Sequence, residues 1–489
     1  GTENTHVTNY TYDAVNRNIT KATAEGGVTQ MEYDFVGNMT RMTDAMNRTT
    51  VYGYDTFNAQ KTVTDAAGNQ TTYTYDTAGN VTRTTYPDNT SVSVVYDAAN
   101  RPTQVTDADN NTEVTTYDSS SNVVARQNKR GEITTFVYDA SNRLVRETNP
   151  QNTATLYTYD AAGNKLSQSV DGETTSFAYD ALNRVTTQTN PGNSVESYTY
   201  DREGHVLSFT DAKNQTTAYT YDALGRMTVK TPASNEWVQY QYNNWGMPTQ
   251  IAENDTFIRN FVYNRENTVT EESHMFTTEG GPVLKRIQRN YNAAQELTSL
   301  VDPANRAFDY VYNNRGLLSR VNHGGTALAQ YTYTPFGNTA AVTFGNGVRT
   351  TYGYDALHRM DDMHVETAGN QTLLRQAYSY DAGGNRVELQ ETFVNENGDS
   401  ANRTVRYAYD DIDQLTSVNY TDRGVGNDLT FVYDAKGNRT TATAPFGSVN
   451  YGYNNAGQLT GVNQNSRMSV ASSYDPNGSL TQEVYRRQG

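Results

Sequence analysis

Residues 73–85 read YTYDTAGNVTRTT, and near-copies recur as YTYDAAGNKLSQS from Tyr157, YTYDALGRMTVKT from Tyr219 and FVYDAKGNRTTAT from Phe431. The opening TTYTY alternates threonine and tyrosine with period two, the signature of a strand built from β-branched and aromatic residues. Asp76-Thr77-Ala78-Gly79-Asn80 follows as a turn, opened by an aspartate whose carboxylate can accept nearby backbone N–H groups. A second strand, Val81 to Thr85, comes next. A second turn of the kind Asp65-Ala66-Ala67-Gly68-Asn69 closes the unit. Two strands and two turns fill 21 residues.

With the second tyrosine as anchor, the phrase falls at Tyr12, Tyr33, Tyr54, Tyr75, Tyr96, Tyr117, Tyr138 and Tyr159 in steps of 21. It continues at Tyr179, Tyr200, Tyr221, Tyr242 and Tyr263, then Tyr291, Tyr312, Tyr333 and Tyr354. Tyr380, Tyr409, Tyr433, Tyr453 and Tyr474 follow at looser spacing. Such a fixed period marks a repeat architecture. The residue after the anchor is Asp13, Asp34, Asp55, Asp76, Asp97, Asp139, Asp160, Asp222 or Asp434 in well-formed copies. The fourth residue after it is glycine or asparagine in 18 of the 22 units, as at Gly37, Gly79, Gly163, Gly225 and Gly437. These two residues tolerate a left-handed backbone best, so φ > 0 is expected there. Ser121, Gln295, His358 and Asp413 break the pattern.

The reading is an all-β antiparallel meander of about 22 hairpin units over residues 1–489, regular in 10–270 and with longer hairpins in 271–489. Two strands per unit at ~4.8 Å each would make a flat ribbon of roughly 200 Å. Sheets beyond about ten strands curl or close as twist accumulates. A sandwich needs a continuous aliphatic inner face, and only 35% of the residues are hydrophobic. The remaining solution is a sheet winding into a hollow spiral shell. The 38 tyrosines exclude plain disorder, which is poor in aromatics. The residue two before the anchor is aromatic in 17 of 22 units and shares the anchor's face. Rows of aromatic pairs are therefore expected, with Arg83 or Arg226 stacked between them.

The net charge of −16 disfavours nucleic acid and anionic membranes. The absence of cysteine excludes disulfides and cysteine-ligated zinc. No apolar run is long enough to span a bilayer as a helix. No signal peptide is legible, and the natural start is expected upstream of Gly1. His6, His205, His274, His323, His358 and His364 fall at no metal-ligand spacing. Asp107-Ala108-Asp109 with Asp118 is spaced like a calcium loop but has Thr112 where glycine is required. No nucleophile elbow or phosphate loop occurs. A catalytic site, cofactor or metal is not expected. The stretches from Ser273 to Gln288 and from Thr392 to Thr404 are read as elongated strands with looser turns.

Tyr-x-Tyr-Asp-x-x-Gly-Asn-Arg at about 21-residue spacing resembles the YD repeats of RHS proteins, insecticidal toxin complexes and teneurins. The match covers about Tyr10 to Gly478, and YAYDDIDQLTSVNY from Tyr407 is similar to the later repeats of bacterial RHS proteins. The resemblance implies a non-enzymatic hollow shell, secreted or at the bacterial cell surface. Its implied partner is a C-terminal toxin cargo of the same polypeptide. No plug, core, protease or toxin domain is recognised in this chain. Asp475-Pro476-Asn477-Gly478 resembles a fragment of the family's core region but lies at an anchor and reads as a turn. A monomer is expected. The alternative is an adhesin or carbohydrate-binding array, since exposed tyrosine rows stack on sugar rings.

Overall fold

The computed structural model describes residues 7–254, 256–278, 280–394, 398–421, 428–464 and 468–487. Among them are 44 strands and no α-helix. They fall into two compact units, each assembled from two separate segments: residues 1–110 with 238–375, and 111–237 with 376–489. In every described pairing a strand is antiparallel to the next in sequence. In the first unit these pairings run from Asn9–Tyr12 to Pro102–Thr106 and from Val238–Tyr242 to Met360–Glu366. In the second they run from Thr112–Tyr117 to Met227–Thr231 and from Arg386–Val394 to Leu480–Arg487.

One unit shows the local logic. Strand Gln70–Tyr75 pairs with Val81–Thr85 through Thr72↔Thr85, Tyr73↔Thr84 and Thr74↔Arg83, then slips to Tyr75↔Val81. The slip is a bulge at Thr82, and such bulges increase the local twist. The Thr82 hydroxyl donates to the Thr74 carbonyl at 3.3 Å, filling an acceptor at the disrupted ladder. Thr40, Thr103, Thr270, Ser319 and Thr440 repeat the contact at the same place in their units.

The elongated hairpins are present as the sequence indicates. Val269–Thr278 and Gly281–Tyr291 pair to Thr278↔Gly281. Arg386–Val394 and Ser400–Tyr409 pair to Val394↔Ser400. Most side chains in the chain are only half-buried. The fully apolar buried set among the described residues is small: Ala252, Ala329, Ala341, Val342, Leu389, Val405 and Val418.

Candidate functional site

The anchor turns are five-residue closures. The Gly79 amide donates to the Asp76 carbonyl at 3.2 Å and the Asp76 amide to the Asn80 carbonyl at 3.0 Å. Gly79 has φ +89° and open space where a Cβ would stand, so the glycine answers a backbone requirement alone. All 22 positions of this type have positive φ, including Ser121 (+69°), Gln295 (+63°), His358 (+62°) and Asp413 (+65°). The closure geometry holds even where the side chain disfavours it.

The aspartate after the anchor clamps the turn. Asp76 Oδ1 accepts the amides of Ala78 and Asn80, both at 2.9 Å, and Asn80 Nδ2 donates to Asp76 Oδ2 at 2.9 Å. Asp13, Asp34, Asp55, Asp97, Asp139, Asp222 and Asp434 accept the equivalent pair of amides, and Asp160 accepts that of Asn164. The Asn80 side chain holds the Asp76 carboxyl below its ordinary range, and the Arg101 and Arg226 side chains do the same for Asp97 and Asp222.

The anchor hydroxyl bonds to the preceding unit. Tyr75 donates to the Gln60 carbonyl at 2.6 Å, and Tyr33, Tyr54, Tyr96, Tyr159, Tyr221 and Tyr433 make the same kind of bond. Its acceptor is always the first residue after the previous unit's turn. Tyrosine is needed here for both its ring and its hydroxyl, and phenylalanine would supply only the ring. Tyr12 lies half exposed on the first strand, and Tyr138 pairs with Leu144 at the bulge.

The expected stacking of Arg83 among the rings needs correction. Arg83 lies opposite Thr74, on the face away from Tyr73 and Tyr75, and donates to Ser91 at 2.8 Å. Arg226 sits in the turn, paired with Asp222 at 2.6 Å. The cations over the rings come from the fifth residue after the previous anchor, the position that Arg226 itself holds after Tyr221. Arg17, Arg143 and Arg184 lie 5.0, 5.0 and 4.6 Å from the ring centres of Tyr33, Tyr159 and Tyr200. Each also donates to the backbone carbonyl of the next unit's aspartate. Where this residue is asparagine, Asn80 reaches Asn100 and Asn122 reaches Asn142, both at 2.9 Å. His205 takes the same place, bonded to Asp201 at 2.7 Å and stacked on Tyr221 at 4.8 Å. The recurring Arg/Asn at this position was the signal in the sequence, and period-two reasoning within one strand passes over it.

A second kind of contact joins the two segments inside each unit. In the first, Arg48 meets Glu296 at 2.5 Å, Arg315 meets Asp65 at 2.7 Å and Arg359 meets Asp109 at 3.3 Å. His358 stacks on Phe336 at 3.5 Å, with Tyr86 edge-on to Phe336 at 5.4 Å. Gly27 is required by close approach, since a Cβ would stand 2.2 Å from the Ala293 carbonyl oxygen. In the second, Lys213 meets Asp475 at 2.5 Å, Lys436 meets Glu173 at 3.1 Å and Arg130 meets Asp413 at 3.2 Å. Asp475 therefore lies in an ordinary turn and anchors a seam, bonding the Asn477 and Ser479 amides at 3.0 Å. Each seam sets anchor turns of the later segment on second turns of the earlier one, 248 residues apart at Arg48–Glu296 and 266 at Asp211–Asn477. That interval is close to twelve or thirteen repeats.

The other candidate residues have structural contacts. His274 bonds Glu272, His323 the Ala307 carbonyl and His364 Thr372. His6 lies outside the described residues. Asp107 Oδ1 accepts the Asp109 amide at 3.0 Å in a turn of the usual kind. Among the described residues no three His, Asp or Glu side chains converge to hold a metal.

The RHS Repeat family matches residues 138–171, 166–195, 200–236, 333–372 and 409–449, and the Teneurin YD-shell family matches 2–93. Over these stretches the chain matches the RHS and YD-repeat families. No curated protein matches it. Among solved structures, the Photorhabdus luminescens Tc holotoxin pore matches 99% of this chain at 13% identity and a TM-score of 0.71. A TcdB2–TccC3–Cdc42 complex matches 98% at 13% identity and a TM-score of 0.61. This RHS/YD array spans 29–30% of the length of those chains, so the likeness is one of fold.

Proposed function

We propose that this chain is a non-enzymatic wall segment of an RHS/YD shell, winding as one continuous array around a space that holds a C-terminal toxin cargo. The observation that carries the reading is the seam. In each unit a later segment is laid turn on turn against an earlier one about twelve repeats back, which is how a spiral wall builds height. The anchor hydroxyls hold the preceding unit, as Tyr75 does, and the aspartates clamp their own turns, as Asp76 does. The anchor, aspartate and glycine positions thus serve the wall and not a reaction. Secretion or cell-surface display follows from the resemblance.

The carbohydrate-array reading needs free tyrosine faces. Tyr33, Tyr159 and Tyr200 already carry an arginine over the ring, which weighs against it. Small-angle X-ray scattering tests the shell. A solid globule of this length would have a radius of gyration of about 23 Å. The dilute chain should give a clearly larger value and a hollow-body distance distribution. A filled-sphere profile would refute the proposal.

A further inference from the structure

The residue that bulges from the ladder, seven places after each anchor, is threonine or serine in 13 of the 22 units. The hydroxyls of Thr82, Ser319 and Thr440 donate there to the carbonyl of the residue before the anchor. Only the unit of Tyr354 places an acidic residue at this point, Asp361. Its strands pair through Gly353↔Asp362 and then slip to Tyr354↔Met360, which leaves Asp361 as the bulged residue. Asp361 Oδ1 lies 2.9 Å from the point where a Cβ of Gly353 would stand, so the glycine gives the carboxyl room to lie against it. The acceptor matching that of Thr82 is the Gly353 carbonyl. A carboxylate has no hydrogen to donate to it, whereas a carboxylic acid has one.

The surroundings favour the acid. Half-buried Asp361 has Asp355 and Asp362 beside it. The nearby cations are held by other carboxylates: Arg359 by Asp355 at 2.7 Å and Arg375, from strand Thr372–Tyr380, by Asp362 at 2.9 Å. On the paired strand Arg349 stands opposite Glu366. On its own strand His364 meets Thr372 and Glu366 at 2.8 and 2.9 Å, and His358 in the turn lies 3.4 Å from Asp88. Burial, and then the charges of Asp355 and Asp362, push the Asp361 carboxyl above the ordinary value of 3.8.

We propose that Asp361 is a proton-operated latch in this hairpin. Neutral, it donates to the Gly353 carbonyl as Thr82 does to that of Thr74. Ionised, it leaves that bond unmade and is repelled by Asp355 and Asp362. The folded chain holds this proton more tightly than the unfolded chain. The stabilisation is therefore fully present below 3.8 and is lost as the pH rises through the folded pKa, opposite in sign to the turn aspartates such as Asp76. The latch stands at the foot of the turn that carries His358 and Arg359 to the seam. Acid thus tightens this hairpin while it loosens the turn clamps.

Urea denaturation of the wild type, Asp361→Thr and Asp361→Asn at about pH 7 and about pH 3 tests this. Threonine restores the hydroxyl usual at the bulge, and asparagine keeps the shape with a donor that does not titrate. At neutral pH both variants should unfold at higher urea, with unfolding constants several-fold smaller than that of the wild type. In acid the three proteins should coincide. Comparing them at each pH removes the response of His358, His364 and the turn aspartates, which all three share. A neutral gain that persists in acid overturns the proposal, because shape and not a proton would explain it. A gain with threonine alone overturns it in favour of strand preference. Absence of any gain at neutral pH overturns it as well, since the carboxylate would then stand at the bulge without cost.

Discussion

The hairpin of Gln70–Tyr75 and Val81–Thr85 contains no buried side chain, whereas that of Arg386–Val394 and Ser400–Tyr409 carries Leu389 at 8% exposure and Val405 at 3%. In the regular hairpin the strands are held by turn clamps, the bulge threonine and a tyrosine hydroxyl reaching one unit back. In the elongated one, Leu389 and Val405 join Val418 in an aliphatic cluster flanked by Tyr378, Tyr407 and Phe431. Nearly buried Glu391 is satisfied there by Arg403 and by Gln376 at 2.6 Å. A periodic array spreads its stability over many similar neighbour contacts. In this hairpin the aliphatic cluster concentrates stability locally, whereas the comparably long hairpin of Val269–Thr278 and Gly281–Tyr291 buries only Ser273.

The largest expected effect exploits this contrast. Leu389→Ala should cost about 2–3 kcal/mol, the lower part of the range for buried leucine, since the cluster is thin. Val63→Ala, on a half-buried regular strand, should cost about 1 kcal/mol or less. Urea denaturation of both variants measures the difference. Equal losses would erase the distinction between the two regions.

Next comes the turn. Gly79→Val should cost about 1–2 kcal/mol, all of it backbone strain, because the space around the added atoms is open. Ser121→Gly should be neutral or stabilise by up to about 1 kcal/mol, since Ser121 is already held at φ +69°. Thermal melts of the pair would expose an error if valine were tolerated as well as glycine.

The strands and their turns were legible because each depends on residues a few positions apart. Gly79 and Asn100 announce a left-handed backbone by their own chemistry. Ser121 and His358 do not, but they share the register of their neighbours. Arg83 was misplaced among the rings, which are capped from the preceding unit as Arg17 caps Tyr33, because alternation along one strand carries no information across the turn. The seams were not legible at all. Whether Arg48 faces Glu296 depends on how many repeats complete one pass, and that follows from the accumulated twist of a dozen hairpins.

A smaller effect separates ring from hydroxyl. Tyr200→Phe keeps the ring under Arg184 and removes the 2.8 Å bond to the Val185 carbonyl. The expected loss is about 1 kcal/mol. No measurable change in the melt would mean that water replaces the hydroxyl and that the aromatic face alone matters.

The smallest effect per site comes from protons, and it divides the two segments of the first unit. Turns of residues 10–110 open with Asp13, Asp34, Asp55, Asp76 and Asp97, whereas those from Tyr242 to Tyr333 open with Asn243, Asn264, Asn292, Asn313 and Thr334. Asn243 Oδ1 accepts the Trp245 and Met247 amides at 2.9 and 3.0 Å, as an aspartate would, but does not titrate in this range. For Asp76 the folded carboxyl lies below the ordinary value of 3.8, chiefly through the Asn80 side chain. The unfolded chain therefore takes up protons first as the pH falls. The contribution of Asp76 is fully present well above 3.8 and is lost as the pH drops through that value toward the folded pKa. Melting temperatures at about pH 6 and about pH 3 should show the wild type weakened by acid. An Asp76→Asn/Asp97→Asn variant, whose turns can keep the same amide bonds, should lose less over the same interval. If wild type and variant fall by the same amount, the clamps at Asp76 and Asp97 do not couple protonation to folding, and the acid response originates in other carboxylates.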